Sequence, residues 1–228
     1  MTGNQRQETA FWDIVHSLNE LRLLPHLIII GSWAEYLYEQ SNYLPSFNAN
    51  IRTKDVDVFV PNIRYPRDPV NLAHELEEKG FIVEIDYFTG VTKFVKEQLD
   101  LEFLARVVGA GAHTTLQVPS LGGIKVEGLR YLEILSRKTI NVHVNDFEII
   151  VPAPAAYILH KLTINRSDKN KEEKDMRAIA IMIDAIQTHI AQMELLREML
   201  SELKPRQLQK IQKKAKQYGL ELKAKPEY

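Results

Sequence analysis

Lys54-Asp55-Val56-Asp57-Val58-Phe59-Val60 is the stretch on which the fold of this chain turns. It alternates with a period of two, the repeat of a β-strand whose side chains point to opposite faces in turn. Asp55, Asp57 and Phe59 fall on one face, and Val56, Val58 and Val60 on the other. Two carboxylates at i and i+2 therefore stand side by side in an otherwise apolar strand. Burying paired like charges is costly unless something positive meets them. A hard divalent cation does so with oxygen ligands and substrate phosphates. A strand face open to water is the plainer alternative.

Two flanking segments bear on that choice. Upstream, His26 to Ile30 reads as a short buried strand, Gly31-Ser32 as a turn, and Trp33 to Glu39 as a helix. Glycine lets a ligand approach the backbone closely, and a helix N-terminus offers unpaired N–H groups to a phosphate. A simple turn is the competing reading. Downstream, Leu99-Asp100-Leu101-Glu102-Phe103-Leu104 puts Asp100 and Glu102 on one strand face, opposite Leu99, Leu101 and Phe103. An adjacent strand could bring one of these acids beside Asp55 and Asp57. Three carboxylates around metal suit an in-line phosphoryl displacement, and the third can accept the proton of the attacking hydroxyl. An ordinary acidic edge strand is the alternative here.

The remaining pattern divides the chain. Phe11, Ile14, Val15, Leu18 and Leu21 recur at helical spacing ahead of Pro25. Residues 41–52 are polar and read as a loop. Asp68-Pro69 reads as a helix start, with the helix carried by Leu72 and Leu76 to Gly80. Phe81 to Tyr87 and Val91 to Val95 read as a hairpin around Thr89-Gly90, and residues 139–144 and 147–151 as a second one around Asn145-Asp146. Residues 108–123, rich in Gly, Ala and Thr, read as irregular. From Pro154 the pattern is helical, with helices expected over residues 155–164, 171–189, 190–203 and 206–218. The expected fold class is α/β (α+β): a mixed β-sheet flanked by helices over residues 1–151, then an all-helical part over residues 152–228.

Composition excludes several classes. With 29 Lys and Arg against 30 Asp and Glu, the net charge of -1 creates no global field toward nucleic acid or membrane. The absence of cysteine removes disulfide frameworks, thiolate zinc sites and thiol nucleophiles. The seven histidines show no zinc-ligand spacing, and His160 reads as a helix residue rather than a base. The polar N-terminus and the short apolar run Leu27–Ile30 lead to the expectation of a cytoplasmic protein without membrane spans. The basic tail from Lys204 reads either as a solvated amphipathic helix with Leu208 and Ile211 inward, or as a patch for RNA phosphates.

Gly31-Ser32, then Asp55-Val56-Asp57 on a strand, then a later strand carrying an acid, resembles the DNA polymerase β-like nucleotidyltransferase superfamily. Thr53-Lys54-Asp55-Val56-Asp57 is similar to the threonine-x-Asp-x-Asp form of several bacterial branches. The resemblance implies that Gly31 and Ser32 contact a triphosphate and that Asp55 and Asp57 ligate Mg²⁺ or Mn²⁺. It implies Asp100 as the third carboxylate and metal ligand, with Glu102 as the fallback. Residues 33–54 form a longer gap than in many members, with the extra length in the 41–52 loop. Val151-Pro152-Ala153-Pro154, Lys161-Leu162, Arg166 and Lys174-Asp175 resemble the abortive-infection (type IV) toxin branch, which implies that Lys161 and Asp175 line the nucleotide cleft.

The expectation is an enzyme that moves a nucleoside monophosphate from a nucleoside triphosphate, ATP among the candidates, to an acceptor hydroxyl on tRNA, protein or a small molecule. The toxin resemblance adds an antitoxin partner. A non-catalytic nucleotide- or RNA-binding module of the same fold is the alternative, and a metal-dependent phosphohydrolase a third.

Overall fold

The computed structural model describes residues 3–45, 47–49, 53–97, 99–107 and 114–222. Helix α1 (Gly3–Glu20) buries Phe11, Ile14, Val15 and Leu18, the apolar face read from its spacing. A 3-10 turn over Leu24–His26 leads into β1, which is only Ile28–Ile29. The expected strand is thus cut short, because Pro25 sits in the first turn of that 3-10 segment. Helix α2 (Gly31–Gln40) starts at Gly31 itself rather than at Trp33. Strand β2 (Asp55–Val60), α3 (Leu72–Glu78), β3 (Ile82–Ile85), β4 (Thr92–Lys96) and β5 (Leu99–Arg106) follow. Helix α3 begins four residues beyond the expected Asp68 start. Ahead of it, the Val70 N–H is committed to the Ser120 carbonyl at 3.0 Å.

The segment expected to be irregular carries a strand, β6 (Thr114–Val118), and a 3-10 turn over Pro119–Leu121. Residues 108–113 lie outside the described residues. Gly122 and Gly123, both at positive φ, turn the chain into β7 (Ile124–Leu129), which pairs antiparallel with β6. A short helix α4 (Leu132–Arg137) was likewise not legible from the pattern. The hairpin β8 (Thr139–Val144) and β9 (Phe147–Pro152) forms a separate two-stranded sheet. Helices α5 (Pro154–Thr163), α6 (Lys169–Ile186), α7 (Ile190–Ser201) and α8 (Pro205–Gln217) complete the chain.

The main sheet has seven strands in a mixed arrangement. Strand β5 lies at its centre, parallel to β2 on one side. On the other side it pairs antiparallel with β4 through its first half and parallel with β7 through its last residues. Leu99, Leu101 and Phe103 point into the main core with Val56, Val58 and Val60. The opposite face changes character along its length. It is acidic at Asp55, Asp57, Asp100 and Glu102, then apolar at Phe59 and Leu104, which pack with Ile28, Ile30, Leu132 and Leu135. Among the described residues no helix is long and apolar enough to cross a membrane.

Leu101 is fully buried between β2 and β4. Leu101→Ala is expected to cost about 2–5 kcal/mol of stability, read by urea unfolding. A loss below about 1 kcal/mol would place Leu101 outside the load of the core.

Candidate active site

The site is assembled at the start of the β2–β5 ladder. Parallel pairing sets Asp55 opposite Asp100 and Asp57 opposite Glu102. Residues paired across a ladder share a face, so one surface collects all of these acids. Asp55 is exposed, Asp57 and Glu102 are half-buried, and Asp100 is buried.

Strand β1 brings the Gly-Ser turn to this surface. Ile29 pairs with Val58, and the Ile30 N–H donates to the Asp57 carbonyl at 3.0 Å. The next residue, Gly31, begins α2 with φ of +69°, and a Cβ there would lie 2.7 Å from Asp57 Oδ2. Only glycine permits this approach of helix start and carboxylate. The Ser32 and Thr53 hydroxyls share a 2.6 Å hydrogen bond, and Thr53 donates to the Asp55 carbonyl at 3.1 Å. Thus the long loop returns to close on the turn, and the length of residues 33–54 does not separate Ser32 from the acids.

The carboxylates differ in their partners. Asp57 has no hydrogen bond or ion pair to its side chain among the described residues. Burial, then the charges of Glu102 and Asp55, raise its pKa to about 6 against the weaker pull of Lys161 and Arg166. Asp100 Oδ1 lies 2.9 Å from Lys54 Nζ, an ion pair angled so that this oxygen lacks an aligned hydrogen bond. Asp100 Oδ2 is 3.5 Å from Lys93 Nζ, and Lys93 also pairs closely with Glu102. Burial works against the charge of Lys93, but these two acids outweigh it and raise its pKa. Among the described residues no group of three His, Cys, Asp or Glu side chains is gathered closely enough to hold a metal ion.

The β2 acids still fit a divalent cation by their chemistry. They offer two oxygen donors on one face, of which Asp57 is unpartnered and electrostatically frustrated. A hard cation relieves both conditions.

A cationic group in the helical part acts on Asp57 through its charge. Lys161 on α5 is buried and donates to Asp175 Oδ1 at 2.6 Å, and Arg166 Nε donates to Asp175 Oδ2 at 3.0 Å. Burial works against the Asp175 charge, but Lys161 and Arg166 prevail and hold its carboxyl below the ordinary range. The charges of both cations reach Asp57 and pull its pKa down, though less than burial and the neighbouring acids raise it. Burial pushes His160 down to about 3, leaving a neutral imidazole.

Two features of the site escaped sequence reasoning. Glu35 is buried on α2 and accepts a 2.5 Å hydrogen bond from the Tyr157 hydroxyl of α5, tying the Gly31 helix to the Lys161 helix. Burial raises its pKa despite that bond. Its signal was a lone acid inside the apolar run Trp33–Tyr38, every residue of which is buried. Lys93, on β4 opposite Glu102, and Lys54, just ahead of β2, supply the cations that meet the β5 acids. Within the basic tail, Lys214 is buried, donates to the Ile164 carbonyl at 2.7 Å and pairs with Glu172, so it is not part of an open patch. Lys223 and Lys225 lie outside the described residues.

Residues 10–204 match the model of a protein family described as nucleotidyltransferase. No curated protein matches the chain in sequence. Among solved structures, the antibiotic-resistance factor ANT(2'')-Ia is similar at 15% identity and a TM-score of 0.46, over 86% of this chain and 92% of that one. An antigenic nucleotidyltransferase-like protein from Paracoccidioides brasiliensis is similar at 18% identity and a TM-score of 0.42, over 86% and 91% of the two chains.

The raised pKa of Asp57 carries a pH signature. The folded carboxyl holds its proton more tightly than the unfolded one, so native stability falls as pH rises from about 4 to about 6 and stays reduced above that. Asp57→Asn is therefore expected to stabilise the metal-free protein above pH 6 by of order 2 kcal/mol, allowing for partial exposure of the side chain. The difference should vanish below about pH 4, as read by thermal melting across pH. A stabilisation independent of pH would contradict the assigned cause.

Proposed function

The chain belongs to the nucleotidyltransferase family, and from that premise we propose a divalent-metal-dependent transfer of a nucleoside monophosphate from a nucleoside triphosphate to an acceptor hydroxyl, with release of pyrophosphate. The observation that carries the metal dependence is the Asp57 carboxylate, unpartnered among the described residues and set against the turn at Gly31.

In this reading Asp55 and Asp57 hold Mg²⁺ or Mn²⁺. The bound ion supplies charge neutralisation at the triphosphate and acidifies the attacking hydroxyl. The third acid comes from β5. Its register favours Glu102, which stands opposite Asp57, over Asp100, which stands opposite Asp55. That acid accepts the hydroxyl proton. The first N–H groups of α2, at Gly31 and Ser32, donate to phosphate oxygens. The Ser32–Thr53 hydrogen bond fixes this turn beside Asp55. Lys161 and Arg166 offset triphosphate charge from the opposite wall, and Asp175 orients both.

The acceptor in this proposal is macromolecular, tRNA or protein, rather than a small molecule. Exposed Arg206, Lys210, Lys213 and Lys216 on α8 support it, with no ion pair to any of them among the described residues. Helix α8 packs on α5, the helix that carries Lys161. A toxin role with an antitoxin partner is proposed from the resemblance of residues 151–175 to the abortive-infection branch.

Asp57→Ala is expected to keep the far-UV circular dichroism of the wild type and to abolish transfer of label from an α-labelled triphosphate. Retained transfer in that variant would overturn the assignment. Metal-dependent triphosphate binding by the wild type with no labelled product under any acceptor would favour a binding module.

A further inference from the structure

Lys93 lies on β4 at the register position opposite Glu102. Its ammonium pairs with Glu102 and stands 3.5 Å from Asp100 Oδ2. Its side chain is 33% exposed, against 59% for Lys54, the other lysine on these acids. Glu102 in turn is the ladder partner of Asp57, whose carboxylate has no protein partner among the described residues. A cation drawn to Asp57 therefore meets Glu102 as the acid directly across the ladder, and meets it already paired. An ammonium and a divalent ion on the same carboxylate repel each other strongly in a half-buried site.

Resting on the assignment of Asp55 and Asp57 as cation ligands, we infer that Lys93 is a built-in counter-ion of the site: it occupies Glu102 in place of a divalent cation, and the ion is taken up by displacing it. Lys93 accounts for the coexistence of so many acids on one ladder face in a folded, metal-free chain. Its displacement couples the ion to the nucleotide, because a triphosphate offers the released ammonium a new anionic partner. Metal alone then binds weakly, and metal with triphosphate binds well.

The test uses the full chain and Mn²⁺ alone, with free Mn²⁺ read by electron paramagnetic resonance. Lys93→Met is expected to bind Mn²⁺ about tenfold more tightly than the wild type. Lys93→Arg, which keeps the cation, should match the wild type. Lys96→Met is the control for loss of one positive charge. Lys96 lies on the same strand but pairs with Asp13 at 3.1 Å, and its loss should leave Mn²⁺ affinity unchanged. Lys93→Gln carries the same expectation as Lys93→Met if the latter does not fold. Affinity unchanged in the neutral Lys93 variants, or tightened equally by Lys96→Met, would overturn the counter-ion role. Asp57→Asn separates the two levels. Loss of Mn²⁺ binding in that variant supports the site assignment whatever Lys93 does, and undiminished binding removes the assignment and the inference together.

Discussion

Electrostatic repulsion along one parallel ladder is the constraint around which this protein is organised. Asp55 and Asp57 on β2 stand opposite Asp100 and Glu102 on β5, on the same face. Such a surface folds only if positive charge meets it. Two lysines meet the β5 acids, and Asp57 is left with burial and like charge acting on it together. The imbalance between a satisfied strand and an unsatisfied one is what the proposed cation site rests on.

The rest of the architecture delivers groups to that imbalance. Strand β1 is only two residues long, yet its pairing with β2 places Gly31 against the Asp57 carboxylate. Val56, Val58, Leu99, Leu101 and Phe103 anchor the ladder in the main core, and its register sets both acid pairs on the opposite face. Helix α5 carries Lys161, whose charge reaches Asp57, and the buried Glu35–Tyr157 hydrogen bond joins it to α2. A buried hydrogen bond of this kind leaves neither polar group unsatisfied and fixes the start of α2 relative to α5.

Much of this was legible in the chain because it rests on local periodicity. The period of two from Asp55 to Val60 set the strand, its faces and its acids. Helical spacing set α1 and α5 to α8 to within a few residues. What was not legible depends on distant partners. Strand β6 opens on two threonines with little alternation and is specified by its pairing with β7, which in turn pairs with β5. The choice between Asp100 and Glu102 could not be read from Leu-Asp-Leu-Glu, since both lie on the same face. Only the register against β2 distinguishes their positions, Asp100 opposite Asp55 and Glu102 opposite Asp57. Glu35 and Lys93 were hidden for the same reason, because each acquires its role only when a second element is packed against it.

The central claim is that the Asp57 carboxylate is held unpaired for a divalent cation. Carbon-detected NMR titration of the Asp57 carboxyl, with and without Mg²⁺, measures this directly. The account predicts a midpoint near 6 in the metal-free protein and a fall below the ordinary carboxylate range when Mg²⁺ is present. A midpoint already in the ordinary range, unmoved by Mg²⁺, would contradict it.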